Sequence, residues 1–371
     1  MFEDRTYDVI LEETLDNAPE GIDTRQGSIF YDAISAVALK VAELYVDLNL
    51  VHTLSQINTA TGEYLDDKVD EQGINRHAAT PVQYYFNYTG TRPETGERFF
   101  YDGVYFVLIE TTDEVLYLEC ETPGAEYNFI ESGTAVVPVN NIEGLTSATI
   151  GEVYEYGTNE ESDEDLRERV QSKVSGPAEN NNKAQYKTWC ESIEGVGIAR
   201  IVPLWLGPNT VKGVLINSEG LPCGNTIVAA VQEYVDPATQ GYTALVDGVT
   251  YVVGDGLGEG VSDIGAHFSA VAATAVTISV SADIELADSY SIEDAIASAT
   301  AAITEYLKSL VLNATSVNDV IVRLSAIGSV LTALPDILDY SNLKINGGTS
   351  NITPGEDGVP VIGEVTFSAI I

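Results

Sequence analysis

Apolar side chains recur at Phe30, Ile34, Val37, Val41, Leu44, Leu48 and Val51, separated by 4, 3, 4, 3, 4 and 3 positions. A mean period of 3.5 places all seven on one narrow stripe of a helix, and the pattern predicts that helix from about Ser28 to Ile57. So narrow a stripe suits packing against other long helices better than burial beneath a sheet. The next ~100 residues read mostly as strands, so helical partners within the chain are scarce. The seven residues are therefore candidate protein-interface positions. The competing reading is a core helix covered by its own chain.

The rest of the chain changes period several times. A short helix is expected from Tyr7 to Leu15, and another after Gly62, closed by a turn at Gly73. From Pro81 the period becomes two: Val82, Tyr84, Phe86 and Tyr88 alternate with their neighbours, followed by Tyr105 to Ile109, Val115 to Cys120 and Ala135 to Val139. Short strands between Gly, Pro and Asn turns indicate an antiparallel sandwich or small barrel over about 80 to 150. At 157–170 the stretch Gly157-Thr158-Asn159-Glu160-Glu161-Ser162-Asp163-Glu164-Asp165-Leu166-Arg167-Glu168-Arg169-Val170 reads as a helix start. Ser162 and Asp165 have capping-box spacing, and the acids sit where the positive end of a helix dipole favours them.

Gly176-Pro177 is expected to end that helix, and Tyr186, Trp189, Cys190 and Ile193 mark the next. Strands from Ile198 to Leu204 and Val211 to Ile216, a helix from Asn225 to Tyr234 and a strict alternation from Val276 to Leu286 follow. A helix from Ile292 to Leu312, another capped by Ser316 and Asp319 with Val317, Val320, Ile321 and Leu324, and three strands (Ile337 to Tyr340, Leu343 to Ile345, Pro360 to Phe367) complete the chain. The fold class is α+β multidomain, in four parts: 1–78, an N-terminal helical segment; 79–156, an antiparallel β-rich domain; 157–287, an α+β domain; and 288–371, a C-terminal α+β domain.

With 57 acidic against 17 basic residues the formal charge is −40. A surface this negative repels phosphate backbones, and no basic face interrupts it, which excludes nucleic acid as a partner and disfavours anionic membranes. No uninterrupted apolar run reaches the ~18 residues of a membrane span, so no membrane insertion is expected. Met1-Phe2-Glu3-Asp4-Arg5 does not open a secretory leader. Cys120, Cys190 and Cys223 lack metal-ligand spacing and read as free thiols in a reducing compartment. These readings place the chain in the cytosol until assembly or lysis.

Motifs for chemistry are missing. His52, His77 and His267 stand apart, with no H-E-x-x-H pair, G-x-S-x-G elbow or phosphate loop. Gly254-Asp255-Gly256-Leu257-Gly258-Glu259-Gly260 has Glu where a dinucleotide fingerprint needs its third glycine. Asp255, Glu259 and Asp263 are a weak calcium candidate without EF-hand spacing, and a plain connector explains the loop better. No catalytic residue and no cofactor is assigned.

Several blocks together resemble the baseplate J-like family, wedge subunits of contractile phage tails and related tail-like bacteriocins. They are Gly62-Glu63-Tyr64-Leu65-Asp66 with Gly73-Ile74-Asn75-Arg76; the acidic helix start at 157–167; and Trp189, Gly195-Val196-Gly197 and Ala199-Arg200. Gly207-Pro208, Val211-Lys212, Ile264-Gly265-Ala266-His267 and Ile362-Gly363-Glu364-Val365 follow in order. Asn180-Asn181-Asn182 departs from the glycine-rich turn of many relatives. The resemblance implies a structural protein without catalysis. It would pair with a second copy of itself and with other wedge proteins through an N-terminal helix bundle. Adjacent wedges would join in a ring through the C-terminal domains, around hub and sheath-initiating proteins, in a baseplate assembled in the bacterial cytoplasm. The competing reading is a carbohydrate- or receptor-binding surface protein using the Tyr-rich region, with Tyr84 and Tyr105 as its test positions.

Overall fold

The computed structural model describes residues 2–111, 115–175, 182–287, 290–314 and 319–370. The chain is an α+β multidomain protein with two compact units: Met1–Arg76 with Glu161–Ser175, and His77–Glu160 with Gly176–Ile371.

The first unit is helical: α1 (Tyr7–Asp16), α2 (Ile29–Leu54), α3 (Glu63–Asp70) and α4 (Asp163–Ser175). Ser28 caps α2 by accepting the Tyr31 N–H at 3.1 Å, satisfying one of the donors a helix start leaves free. Ile10 and Leu11 of α1 pack on Ala38 of α2, with Tyr7, Ile34, Val41 and Tyr45 around them. A second small core joins Ala60, Leu65, Val69 and Ile74 to Leu166 and Val170.

The acidic helix start thus belongs, by packing, to the N-terminal helices. Ser162 accepts the Asp165 N–H at 3.2 Å and lies 2.7 Å from its carboxylate. Arg76, 12% exposed, bridges Asp66 and Asp163 at 2.7 Å each and donates to the Glu161 carbonyl at 2.6 Å. Arg167 donates to the carbonyls of Ile57 and Ala60, just past the end of α2. Arg169 pairs with Glu161 at 2.7 Å and donates to the Asn75 carbonyl. The blocks at 62–66 and 73–76 and residues 161–169 of the acidic stretch are therefore parts of one polar clasp. Burial pushes the Asp163 carboxyl up, but the Gly62 N–H and the Arg76 guanidinium outweigh it and hold it below the usual carboxylate range.

The second unit starts with a six-stranded antiparallel sheet: β1 (Gln83–Gly90), β2 (Arg98–Tyr101), β3 (Val104–Glu110), β4 (Leu116–Cys120), β5 (Val137–Pro138) and β6 (Leu145–Glu155). Its order is β5-β2-β3-β4-β1-β6. Ala135, just before β5, pairs with Thr149 of β6, so the sheet closes on itself as a small barrel. Tyr84, Phe99, Phe106, Leu108, Leu118 and Ile150 fill it. Strands β2 and β6 were not expected; β2 pairs with β3 through an Asp102-Gly103 turn, both residues at positive φ (38° and 85°).

Next come α5 (Lys183–Glu191), β7 (Ile198–Pro203), β8 (Thr210–Ile216), α6 (Asn225–Val235), β9 (Thr243–Val246), β10 (Val249–Val252) and β11 (His267–Ala272). Strand β8 is parallel to β11 and antiparallel to β7. Helices α5 and α6 cover this sheet through Tyr186, Cys190, Leu215, Val231 and Phe268. Side chains of α6 and its C-cap occupy the margin of β11: Gln232 accepts the Ala270 N–H at 2.8 Å and donates to the Phe268 carbonyl at 3.0 Å, while Asp236 accepts the Phe268 N–H at 2.9 Å. Gly197 has no room for a side chain, since a Cβ there would lie 2.5 Å from Asn217 C and Ser218 N.

The last sheet centres on the alternating stretch, β12 (Thr274–Leu286), antiparallel to β13 (Ile337–Ile345) and parallel to β14 (Gly358–Ala369). Helices α7 (Ile292–Leu312) and α8 (Leu324–Thr332) lie on it, burying Ile303, Leu307, Ile327 and Leu331 with Ile278 and Ile284. Helix α7 is long and apolar enough to cross a membrane by length and composition, yet its Ala295, Ala299, Ile303, Leu307 and Val311 are buried in the protein. The helix expected at Ser316 is corrected: α8 starts only at Leu324, and Val322 pairs with Ile352 instead. Ser316 and Val317 lie outside the described residues, as do the Gly176-Pro177 stop and Asn180-Asn181. Asn182 caps α5 by accepting the Gln185 N–H at 3.0 Å. The two short strands expected at 337–345 are one strand, interrupted at Asn342, whose φ is 54°.

Candidate subunit-interaction surface

Of the 26 residues of α2, only Ala38 is buried. A helix in water with this composition exposes apolar surface that its own chain does not cover. The seven seam residues divide. Ile34 and Val41 are half-buried against α1, and Phe30 is half-exposed near the helix start. Val37, Leu44, Leu48 and Val51 are open to solvent, at 57%, 60%, 48% and 64% exposure. At ~100° per residue these four share one face, beside the α1 contact.

A second open face was missed in the sequence. Leu39, Val46 and Leu50 are 50%, 67% and 56% exposed and lie roughly opposite the first face. Their spacings of 7 and 4 carry the same helical signal as the seam and could have been found by it. Thus α2 has three apolar stripes, of which α1 covers one. At the foot of the helix Ser55, Gln56, Ile57, Asn58, Lys68, Glu71, Gln72, Val170 and Gln171 line an open recess of about 510 Å³ of mixed polar and apolar character.

The weak calcium candidate is not assembled. The Asp255 carboxylate is taken up by the Thr239 hydroxyl at 2.6 Å and the Gln240 N–H at 2.9 Å. Among the described residues no three His, Cys, Asp or Glu side chains gather to hold a metal. His267 Nδ1 faces the Gly254 carbonyl at 2.9 Å, and His52 lies beside Gln56 on α2. The three cysteines are unpaired and buried. Burial pushes the Cys120 thiol up, so it is held protonated.

The tyrosines divide too. Tyr84, a test position for a binding surface, is fully buried, and its hydroxyl donates to the Tyr127 carbonyl and accepts the Ile130 N–H. Burial pushes its phenol above the usual range, although the Ile130 N–H opposes this. Tyr105 is on the outer face beside Phe100, with the Arg98 guanidinium 4.4 Å from its ring centre. Tyr154 meets the edge of Tyr85 and stacks on Tyr117.

Comparison with known proteins adds the following. Models described as the baseplate J-like central domain and the Baseplate J-like protein C-terminal domain match residues 178–253 and 278–368. Phage-like element PBSX protein XkdT of Bacillus subtilis (strain 168) is 34% identical over 366 residues, 98% of each chain. YqbT of the same strain is 33% identical over 371 residues, 99% of each chain. The cryo-EM structure of the anti-feeding prophage (AFP) baseplate, 6-fold symmetrised, contains a chain aligned over 98% of this one and 99% of its own. That alignment has 9% identity and a TM-score of 0.35. The chain belongs to the baseplate J-like family.

Proposed function

We propose that this protein is a structural wedge subunit in the baseplate of a contractile phage tail or a phage-derived particle, and that it has no catalytic role. The observation that carries the reading is α2, a 26-residue helix with one buried side chain and two open apolar faces. Exposed apolar surface costs hydration free energy until another helix covers it, and the gain from covering it has to outweigh the mutual repulsion of chains of charge −40. Two open faces accommodate two further helices, one from a second copy and one from another wedge protein. Membership of the baseplate J-like family and the likeness to a protein of a phage-like element support this assignment. The C-terminal domain, 288–371, is assigned to contacts between neighbouring wedges around the hub, and contraction of the sheath would follow from opening of that ring. Assembly takes place in the bacterial cytoplasm.

The test is co-expression with the products of the neighbouring genes, followed by size exclusion and electron microscopy. Wedge-shaped complexes containing two copies of this chain are expected. A chain that elutes alone beside folded neighbours, or one that turns over a substrate, overturns the proposal.

A further inference from the structure

The turn from β8 into α6 carries one carboxylate to a place where three modules of the second unit meet. Asn217 Oδ1 accepts the backbone N–H of Glu219 at 3.0 Å and of Leu221 at 2.9 Å, which makes the turn stiff. Gly220, at φ 73°, lies so near α7 that a Cβ would come 3.3 Å from Lys308 Cα. From this turn the Glu219 side chain, 11% exposed, points two ways. Its Oε2 lies 2.7 Å from Lys308 Nζ on α7. Its Oε1 accepts the Asn159 side-chain amide at 3.0 Å and the Asn159 backbone N–H at 3.3 Å. Asn159 Oδ1 in turn accepts the Ala125 N–H of the barrel at 3.1 Å.

Residue 159 lies just before the chain passes, at 161, into the helical unit. The two residues before it are fastened to the barrel. Gly157 exchanges hydrogen bonds with the Asn128 carboxamide at 2.7 and 2.8 Å, and Thr158 pairs with Thr80. A carboxylate shared between a cation and an amide satisfies both only while both are in place. If α7 shifts, Glu219 either follows Lys308 and releases Asn159, or keeps Asn159 and becomes a largely buried charge without its cation.

We propose that Glu219 is a positioning residue that couples the place of α7 to the order of segment 157–160, so that displacement of the C-terminal domain loosens the exit of the chain toward the helical unit. This goes beyond the wedge assignment, since it concerns transmission within one chain and holds whichever proteins surround it.

Hydrogen–deuterium exchange on the full chain tests the coupling. Lys308→Met keeps most of the side-chain length but removes the charge, and Lys308 is linked to segment 157–160 through Glu219. Peptides covering 157–160 are expected to exchange about 2- to 30-fold faster in that variant, the range of ordinary coupling between sites. Peptides of β1 are expected to exchange at the wild-type rate. Glu219→Gln retains an oxygen for Asn159 but loses the ion pair, and should give the same pattern. Lys344→Met, at an exposed position of β13, should leave 157–160 unchanged. The proposal is overturned if both Lys308→Met and Glu219→Gln leave 157–160 at the wild-type rate, or if β1 accelerates equally, which would mean general loosening. Should Lys308→Met fail to fold, the Glu219→Gln result decides.

Discussion

Leu44→Asp separates a helix that is merely exposed from one that is covered by a partner. In the isolated chain Leu44 is 60% exposed, so the substitution costs little there beyond helix propensity, ~0.5 kcal/mol. In a bundle the remaining surface is buried. Full burial of a leucine is worth about 1.5–3 kcal/mol, so covering the last 60% contributes ~1–2 kcal/mol to association. The variant loses that gain and adds a carboxylate without a counter-charge in an apolar seam, at a cost of several kcal/mol. The sum, ~4 kcal/mol or more, weakens association about 1,000-fold. Circular dichroism should show a melting temperature close to wild type, while size exclusion and pull-down with co-expressed baseplate proteins should show the complex lost. Association within tenfold of wild type, with the chain folded, would refute the reasoning. Val46→Asp applies the same test to the opposite face, and a difference between the two variants tells which face takes which partner.

Four further outcomes are expected. Arg76→Met leaves Asp66 and Asp163 facing each other without their cation and should destabilise the first unit by about 1–3 kcal/mol, seen as a lower urea midpoint and faster proteolysis. Because the folded Asp163 pKa lies below its unfolded value, its contribution is present in full above the unfolded pKa and is lost as pH falls through the folded one. An acid titration followed by helical signal should therefore lose the first unit more steeply in wild type than in Asp163→Asn. Gly197→Ala drives a Cβ into the Asn217–Ser218 backbone and should cost about 1–3 kcal/mol by thermal denaturation. Tyr84→Phe leaves the Ile130 N–H unpaired inside the barrel and should cost about 1–2 kcal/mol, with no effect on glycan binding in an array screen.

The regular parts of this fold were legible wherever one face of an element meets a core. The alternation from Val276 to Leu286 became the central strand of the last sheet, and the Ile292–Leu312 helix appeared with the expected bounds, because burial on one side imposes a clean period. The β9–β10 hairpin was missed although Asp247-Gly248 marks its turn, since two exposed four-residue strands leave little periodicity to read. The helix expected to run through Val320 and Ile321 is absent at those positions: Val320 and Val322, two residues apart, are both buried, and Val322 is bridged to Ile352. The acidic helix start was recognised, but its partners were not. Arg76 lies more than eighty residues from Asp163 in the chain, and only tertiary structure brings such a pair together. For the interaction surface, the seam was visible as spacing, but its division between α1 and solvent depends on where the preceding helix lies. Tyr84 shows the opposite error, since an aromatic in a strand reads alike on either face until the register is known.

The margin of β11 has one more consequence. An uncovered strand edge offers a row of amide and carbonyl groups to any passing chain. Here Gln232 and Asp236 answer those groups with side-chain amide and carboxylate, standing in for the strand that would otherwise be recruited. Neighbours meeting this side of the molecule find its backbone already engaged. Any chain that docks at this margin has to do so through side chains, whose contacts, unlike a continuous ladder, can be taken apart one by one.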